Sequence, residues 1–163
     1  MSTKKLTTLS IAVALAMILS FVETLIPPLV AVPGVKIGLA NVVTVFLIYI
    51  YGWREAGCVA LIRVALSSVL FGSPVGFIYS AAGALLSFLV MVSVKKLGFF
   101  SEVGVSVLGG VFHNVGQIAV ACIIMENAAI ASYLPPLLIS GTVAGVAVGT
   151  LAGILTVKLK GKI

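Results

Sequence analysis

The chain has 163 residues, 61% of them hydrophobic and only 9% charged, with a formal net charge of +6 at pH 7. A soluble domain carries about 25% charged residues, so this composition, with a mean hydropathy of +1.32, excludes that class. It indicates an all-α integral membrane protein with a single domain over residues 1–163.

Apolar segments follow one another between clear breaks, and each is expected to be a transmembrane helix. The first, Leu6–Ile26, is preceded by Lys4 and Lys5 and stopped by Pro27 and Pro28. Lysines before an apolar run resemble a signal peptide, but this run has the roughly 20 residues that a span requires. It is expected to be a retained helix. The stretch "PPLVAVPGVKIGLAN" comes next. Its prolines and glycines suit a structured outer lid, and Lys36 gives it a positive charge. The second segment is Ile37–Tyr51, ended by "GWRE", and the third is Ala56–Phe71, ended by "GSP". Both are short for a hydrocarbon core of about 30 Å, so they either extend into their flanks or cross a thin region. The fourth is Val75–Val94, ended by Lys95 and Lys96. The fifth is Val103–Met125, ended by Glu126 and Asn127, and the sixth is Leu134–Val157, followed by "KLKGK". Cys58 and Cys122 fall near opposite membrane faces on this plan, so no disulfide is expected.

Lys and Arg set the orientation. With the N-terminus inside, Lys4, Lys5, Arg54, Lys95, Lys96, Lys158, Lys160 and Lys162 all fall on the inner side. Lys36 falls outside and Arg63 lies within a span. Both termini are therefore expected to be cytoplasmic in a cell membrane. The positive charge is a matter of topology and of anionic membrane lipid, and needs no nucleic acid.

Lipid provides little hydrophobic drive between helices, so small residues must allow them close approach. Gly141, Gly145, Gly149 and Gly153 form a ladder at i+4 spacing in the sixth segment. Ala12, Ala16 and Ser20 repeat the spacing in the first, and Gly76, Ser80 and Ala84 in the fourth. Intramolecular packing accounts for the glycine ladder. For the alanine ladder, packing and contact with a partner both stand.

Ionisable and polar groups inside a membrane are costly and usually face a cavity or a partner. Arg63 is central in the third segment, with Ser67 one turn further out on the same face. His113 and Gln117 share a face of the fifth, beside Asn114. Asn41 and Thr44 lie on one face of the second, and Glu23 is near the outer end of the first. All sit in the middle to outer half, which suggests an outward-opening pocket formed with Lys36. Its charge is net positive, so an anionic or zwitterionic small molecule suits it. The alternative is a buried hydrogen-bond network that orders the helices, with Arg63 paired to Glu23. One histidine, with no aspartate or cysteine at that depth, gives too few ligands for a metal, and no cofactor is implied.

The stretches "PGVKIGLANVVTVFLIYIYGWREA", "LIRVALSSVLFGSPVGFIYSAAGALLSFLVM" and "VSVLGGVFHNVGQIAVA" resemble the family called Gx transporter or heptaprenyl diphosphate synthase component I. The transporter name fits a similarity to the substrate-binding (S) subunits of energy-coupling factor transporters. That similarity implies a six-helix bundle that captures a vitamin-like molecule under its first loop. It also implies docking on a membrane scaffold subunit driven by separate ATPases, with Ala12 and Ala16 matching the family's docking motif. The chain has no G-x-x-x-x-G-K-[ST] loop of its own.

The synthase name implies prenyl transfer, whose usual catalysts hold diphosphate through magnesium on aspartate-rich motifs. This chain has no aspartate, and Glu23, Glu55, Glu102 and Glu126 are dispersed. A non-enzymatic uptake subunit is therefore expected. A non-catalytic membrane component of prenyl-quinone synthesis is the first alternative, and a structural or lipid-binding membrane protein the second.

Overall fold

A computed structural model describes residues 2–26, 38–71 and 73–161. Among them the chain forms six α-helices and one 3-10 helix, with no strand. These are α1 (Thr3–Leu25), α2 (Asn41–Ile50), α3 (Trp53–Phe71), α4 (Pro74–Leu97), α5 (Glu102–Ile124) and α6 (Leu134–Leu159), with the 3-10 helix at Ala128–Tyr133. α1, α4, α5 and the run Ala128–Leu159 are each long and apolar enough to cross a membrane. The protein is membrane-embedded, and the secondary structure of its described residues is all helical.

Serine hydroxyls set three of the starts by accepting an otherwise unpaired first-turn N–H. Ser2 caps α1 through Lys5 N at 3.3 Å. Ser73 caps α4 through Gly76 N at 3.1 Å, with Pro74 in the first turn. Ser101 caps α5 through Gly104 N at 3.4 Å. α4 runs past Val94 to Leu97 because Lys95 and Lys96 suit the negative end of a helix, and it stops at Gly98 with φ 76°. The 3-10 helix escaped the sequence reading. It is held at its start by Asn127 Oδ1, which accepts the Ala129 N–H at 2.9 Å.

α2 departs most from its expected form. Ile37 lies outside the described residues, and Gly38–Ala40 form tight turns, so the helix proper starts at Asn41. Its 10 residues make about 15 Å, half the hydrocarbon thickness. Six of its 10 residues are buried, and α1, α3, α4, α5 and α6 all touch it. Both its ends are tied down by other helices. Glu23 of α1 accepts the N–H groups of Gly38 and of Leu39 just ahead of it. Lys95 of α4 donates to the Ile48 carbonyl near its other end and lies 4.8 Å from the Tyr49 ring centre. An anion at the start and a cation at the end both match the helix dipole.

α5 is packed between α4 and α6 through backbone contact. A Cβ added at Gly110 would stand 2.5 Å from the Gly141 carbonyl oxygen of α6. One at Gly145 would stand 2.6 Å from Val107 Cα, and one at Gly149 would stand 2.6 Å from Val103 Cα. The glycine ladder is thus used within the chain, except at its last rung: Gly153 meets only Glu102 Cβ at 3.8 Å. On the α4 side a Cβ at Gly116 would stand 2.9 Å from the Ala82 carbonyl oxygen. The buried face of α4 is Tyr79, Gly83, Ser87 and Met91, one position out of phase with the expected Gly76, Ser80 and Ala84.

Cys58 and Cys122 are both free thiols. Ala12 and Ala16 are buried in the core cluster with Val43, Val45 and Leu47 of α2 and Ala56 and Val59 of α3. Their small size is used inside the bundle.

The two kinds of glycine differ in a measurable way. Gly110→Ala is expected to destabilise by about 1–3 kcal/mol, because α6 backbone must shift. Gly153→Ala is expected to be neutral or slightly stabilising, since alanine favours the helix by about 1 kcal/mol. Thermal unfolding of the two variants in one detergent compares them directly.

Candidate functional site

The expected site residues among the described ones, Glu23, Asn41, Arg63, Ser67, His113, Asn114 and Gln117, are all buried. Lys36 and the 27–37 stretch of the outer lid lie outside the described residues. The buried residues fall into three groups, set by which helix each one faces.

The first group is the corner where α1 meets α2. Glu23 has its carboxylate on the Gly38 and Leu39 N–H groups, the second at 3.3 Å. Asn41 is beside it, its Nδ2 3.0 Å from where a Gly38 side chain would begin. Gly38 has φ 90°, so a substituted residue there would be strained as well as crowded. Thr44, one turn along, is also buried.

The second group is on α3. Arg63, near its middle, is 7% exposed. Its Nε is buried without a hydrogen-bond partner among the described residues. Glu23 lies near enough to act on its charge. The hydroxyl of Ser67, a turn further on, donates to the Val64 carbonyl at 3.3 Å, within its own helix.

The third group is the polar run of α5, which the structure divides. His113 and Gln117 face α4: a Cβ at Gly83 would meet Gln117 Cγ at 2.8 Å and His113 Cε1 at 3.1 Å. Both make further interactions. Asn114 points the other way, donating from Nδ2 to the Leu137 carbonyl of α6 at 2.7 Å. His113 and Gln117 thus share a face, as their spacing leads one to expect, and Asn114 beside them looks to α6. A helix turns about 100° per residue, so Asn114 joins α5 to α6 while its neighbours face α4.

Five buried residues that carry a hydroxyl were missed as site candidates: Ser20, Tyr79, Ser87, Ser106 and Thr156. Ser20 was visible as a rung of the alanine ladder. Ser20, Ser87 and Ser106 have buried hydroxyls without a hydrogen-bond partner among the described residues. Tyr79 packs with Ile118 and Ala121 of α5, a turn along α4 from Gly83. Its phenol in an apolar run was the available signal.

The arrangement offers one guanidinium, one imidazole, amides and hydroxyls in a dry interior. Its carboxylate, Glu23, is already engaged with backbone N–H groups.

The chain matches the family described as Heptaprenyl diphosphate synthase component I over residues 12–155. Neither the curated proteins nor the solved structures contain a match to it.

Glu23 is the group whose loss the geometry makes most visible. Glu23→Ala leaves two N–H groups at the start of α2 without their acceptor and is expected to cost about 2–4 kcal/mol of stability. Glu23→Gln keeps an acceptor oxygen and is expected to lose less than half of that. Denaturation in detergent, followed by helical signal, ranks the two.

Proposed function

The chain belongs to the heptaprenyl diphosphate synthase component I family, and from that premise we propose that it is a non-enzymatic membrane subunit that binds an anionic small molecule for uptake. Arg63 carries this reading. A buried guanidinium in the middle of a membrane helix costs at least about 2.5 kcal/mol, and its Nε is still uncommitted among the described residues. A ligand anion would offset that cost through a charge-assisted bond. Ser67, His113, Gln117, Asn41 and Lys36 complete the proposed contacts. Asn114, turned towards α6, is not among them.

Six crossings with both termini cytoplasmic are part of the proposal. The basic residues support it, because the fold gathers the helix ends that bear them. Lys5 pairs with Glu55 at 2.5 Å, joining the starts of α1 and α3. Lys95 on the Ile48 carbonyl joins the end of α4 to the end of α2. This basic end faces the cytoplasm by the positive-inside rule. The buried face of Ala12 and Ala16 would have to open before a transmembrane scaffold with its ATPases could use it, so docking there is not part of the reading.

The family description favours a second reading, a membrane component that assembles with a prenyl diphosphate synthase and holds no ligand of its own. A chain without aspartate would leave magnesium–diphosphate chemistry to its partner.

Mass spectrometry of small molecules retained by the full chain in mild detergent separates these readings. The wild type is expected to carry an anion. Arg63→Gln is expected to bind it roughly 10- to 150-fold more weakly, the equivalent of about 1.5–3 kcal/mol for a charge-assisted bond. An unchanged complement in Arg63→Gln, or a wild type that carries nothing yet co-purifies with a synthase subunit, contradicts the uptake reading. For orientation, reporter fusions at Gly98 and Gly161 are expected to read cytoplasmic and one at Ala129 external.

A further inference from the structure

A groove runs between α3 and α4 on the side of the bundle away from the polar residues of α5. It encloses about 450 Å³, within the range of small-molecule sites. Its floor is made of small residues, Gly57 and Ala60 of α3 and Ala81 and Ala84 of α4. Its rims are Leu61, Leu85 and Leu89, which are among the exposed large hydrophobic residues. α4 is itself one of the helices long and apolar enough to cross a membrane, so these rims are continuous with the surface that meets lipid.

The two ends of the groove differ. Towards the basic end Phe88 closes it, with the ring against Gly57: a Cβ there would stand 3.1 Å from Phe88 Cζ. Towards the opposite end it shares Ala65 and Phe77 with a second cavity of about 430 Å³, where Ser68 and Ser73 provide hydroxyls. The groove is thus apolar along its lining, closed at one end by the Phe88 ring on Gly57 and bordered at the other by two hydroxyls. A packed transmembrane helix is about 10 Å across and has no use for a blind end. A single hydrocarbon chain bearing a polar head fits each feature.

We infer that the α3–α4 groove is a binding site for one tail of a membrane amphiphile, whose head lies at the mouth beside Ser68 and Ser73 and whose tail ends at Phe88. This site is separate from the Arg63 site and does not rest on it. Because the blind end limits how much chain fits, the site selects by chain length. Ordinary lipid contact on a helix surface does not.

Native mass spectrometry of the full chain in nanodiscs tests this with lysophosphatidylcholines bearing decanoyl, lauroyl, myristoyl, palmitoyl and stearoyl chains. Occupancy is expected to rise with chain length and then stop rising at one member of the series. Ala84→Phe fills the groove and is expected to lower occupancy about tenfold, which corresponds to 1.4 kcal/mol. Ala81→Leu gives the same test should the larger ring disturb folding. Phe88→Ala is expected to move the break to a longer chain. Arg63→Gln is expected to leave the series unchanged, so failure of the anion site and failure of this one are told apart. A smooth dependence on length that neither Ala84→Phe nor Ala81→Leu alters would show surface lipid only and overturn the inference. Retention of a polypeptide in place of the lipid would overturn it as well.

Discussion

The structure depends on how closely α5 approaches its neighbours. In a bilayer the apolar faces of helices gain little from leaving lipid, so association must come from contact between surfaces that fit. α5 meets α6 at Gly110, Gly145 and Gly149 and meets α4 at Gly109 and Gly116, in several places with no side chain between the backbones. Two neighbours at this distance leave α5 no freedom to rotate. That is why its polar residues have fixed and opposite assignments: His113 and Gln117 to α4, Asn114 to α6.

α2 illustrates the same economy in a different form. A helix of 10 residues is too short to be stable alone and too short to span. It survives by packing against all five of the other helices and by receiving a carboxylate at its start and an ammonium near its end from two of them. Glu23 therefore has a structural task before any functional one. Its bonds to Gly38 and Leu39 both use Oε1 alone, so a pair between Glu23 and Arg63 stands beside a ligand as the account of the buried guanidinium.

Helix positions were legible because the breaks are strong: proline pairs, glycines, lysine pairs and serine caps fix most ends to within three residues. The 3-10 helix at Ala128–Tyr133 was not, since "NAAIASY" has no periodic pattern and is fixed by one Asn127 bond. That polar residues would be buried followed from their costs in an apolar run. Which helix each would face did not, because that depends on the rotation of α5, set by glycines on two other helices. Small-residue spacing announced close approach at Ala12 and Ala16 and at Gly141 and Gly145, but carried no information on the identity of the approaching surface. In α4 the i+4 spacing points to Ala84, whereas packing uses Gly83, which receives His113 and Gln117 at distances no Cβ would allow.

The central claim is that Arg63 is kept inside the bundle for a ligand and not for the fold. The thermal stability of ligand-free Arg63→Gln tests it most directly, with Glu23→Gln and the double variant alongside. A charge held for a ligand is a burden on the empty protein, so Arg63→Gln is predicted to melt no lower than the wild type. A clear fall in melting temperature in Arg63→Gln, restored when Glu23→Gln is added, would show that the two form a structural pair and would contradict the account.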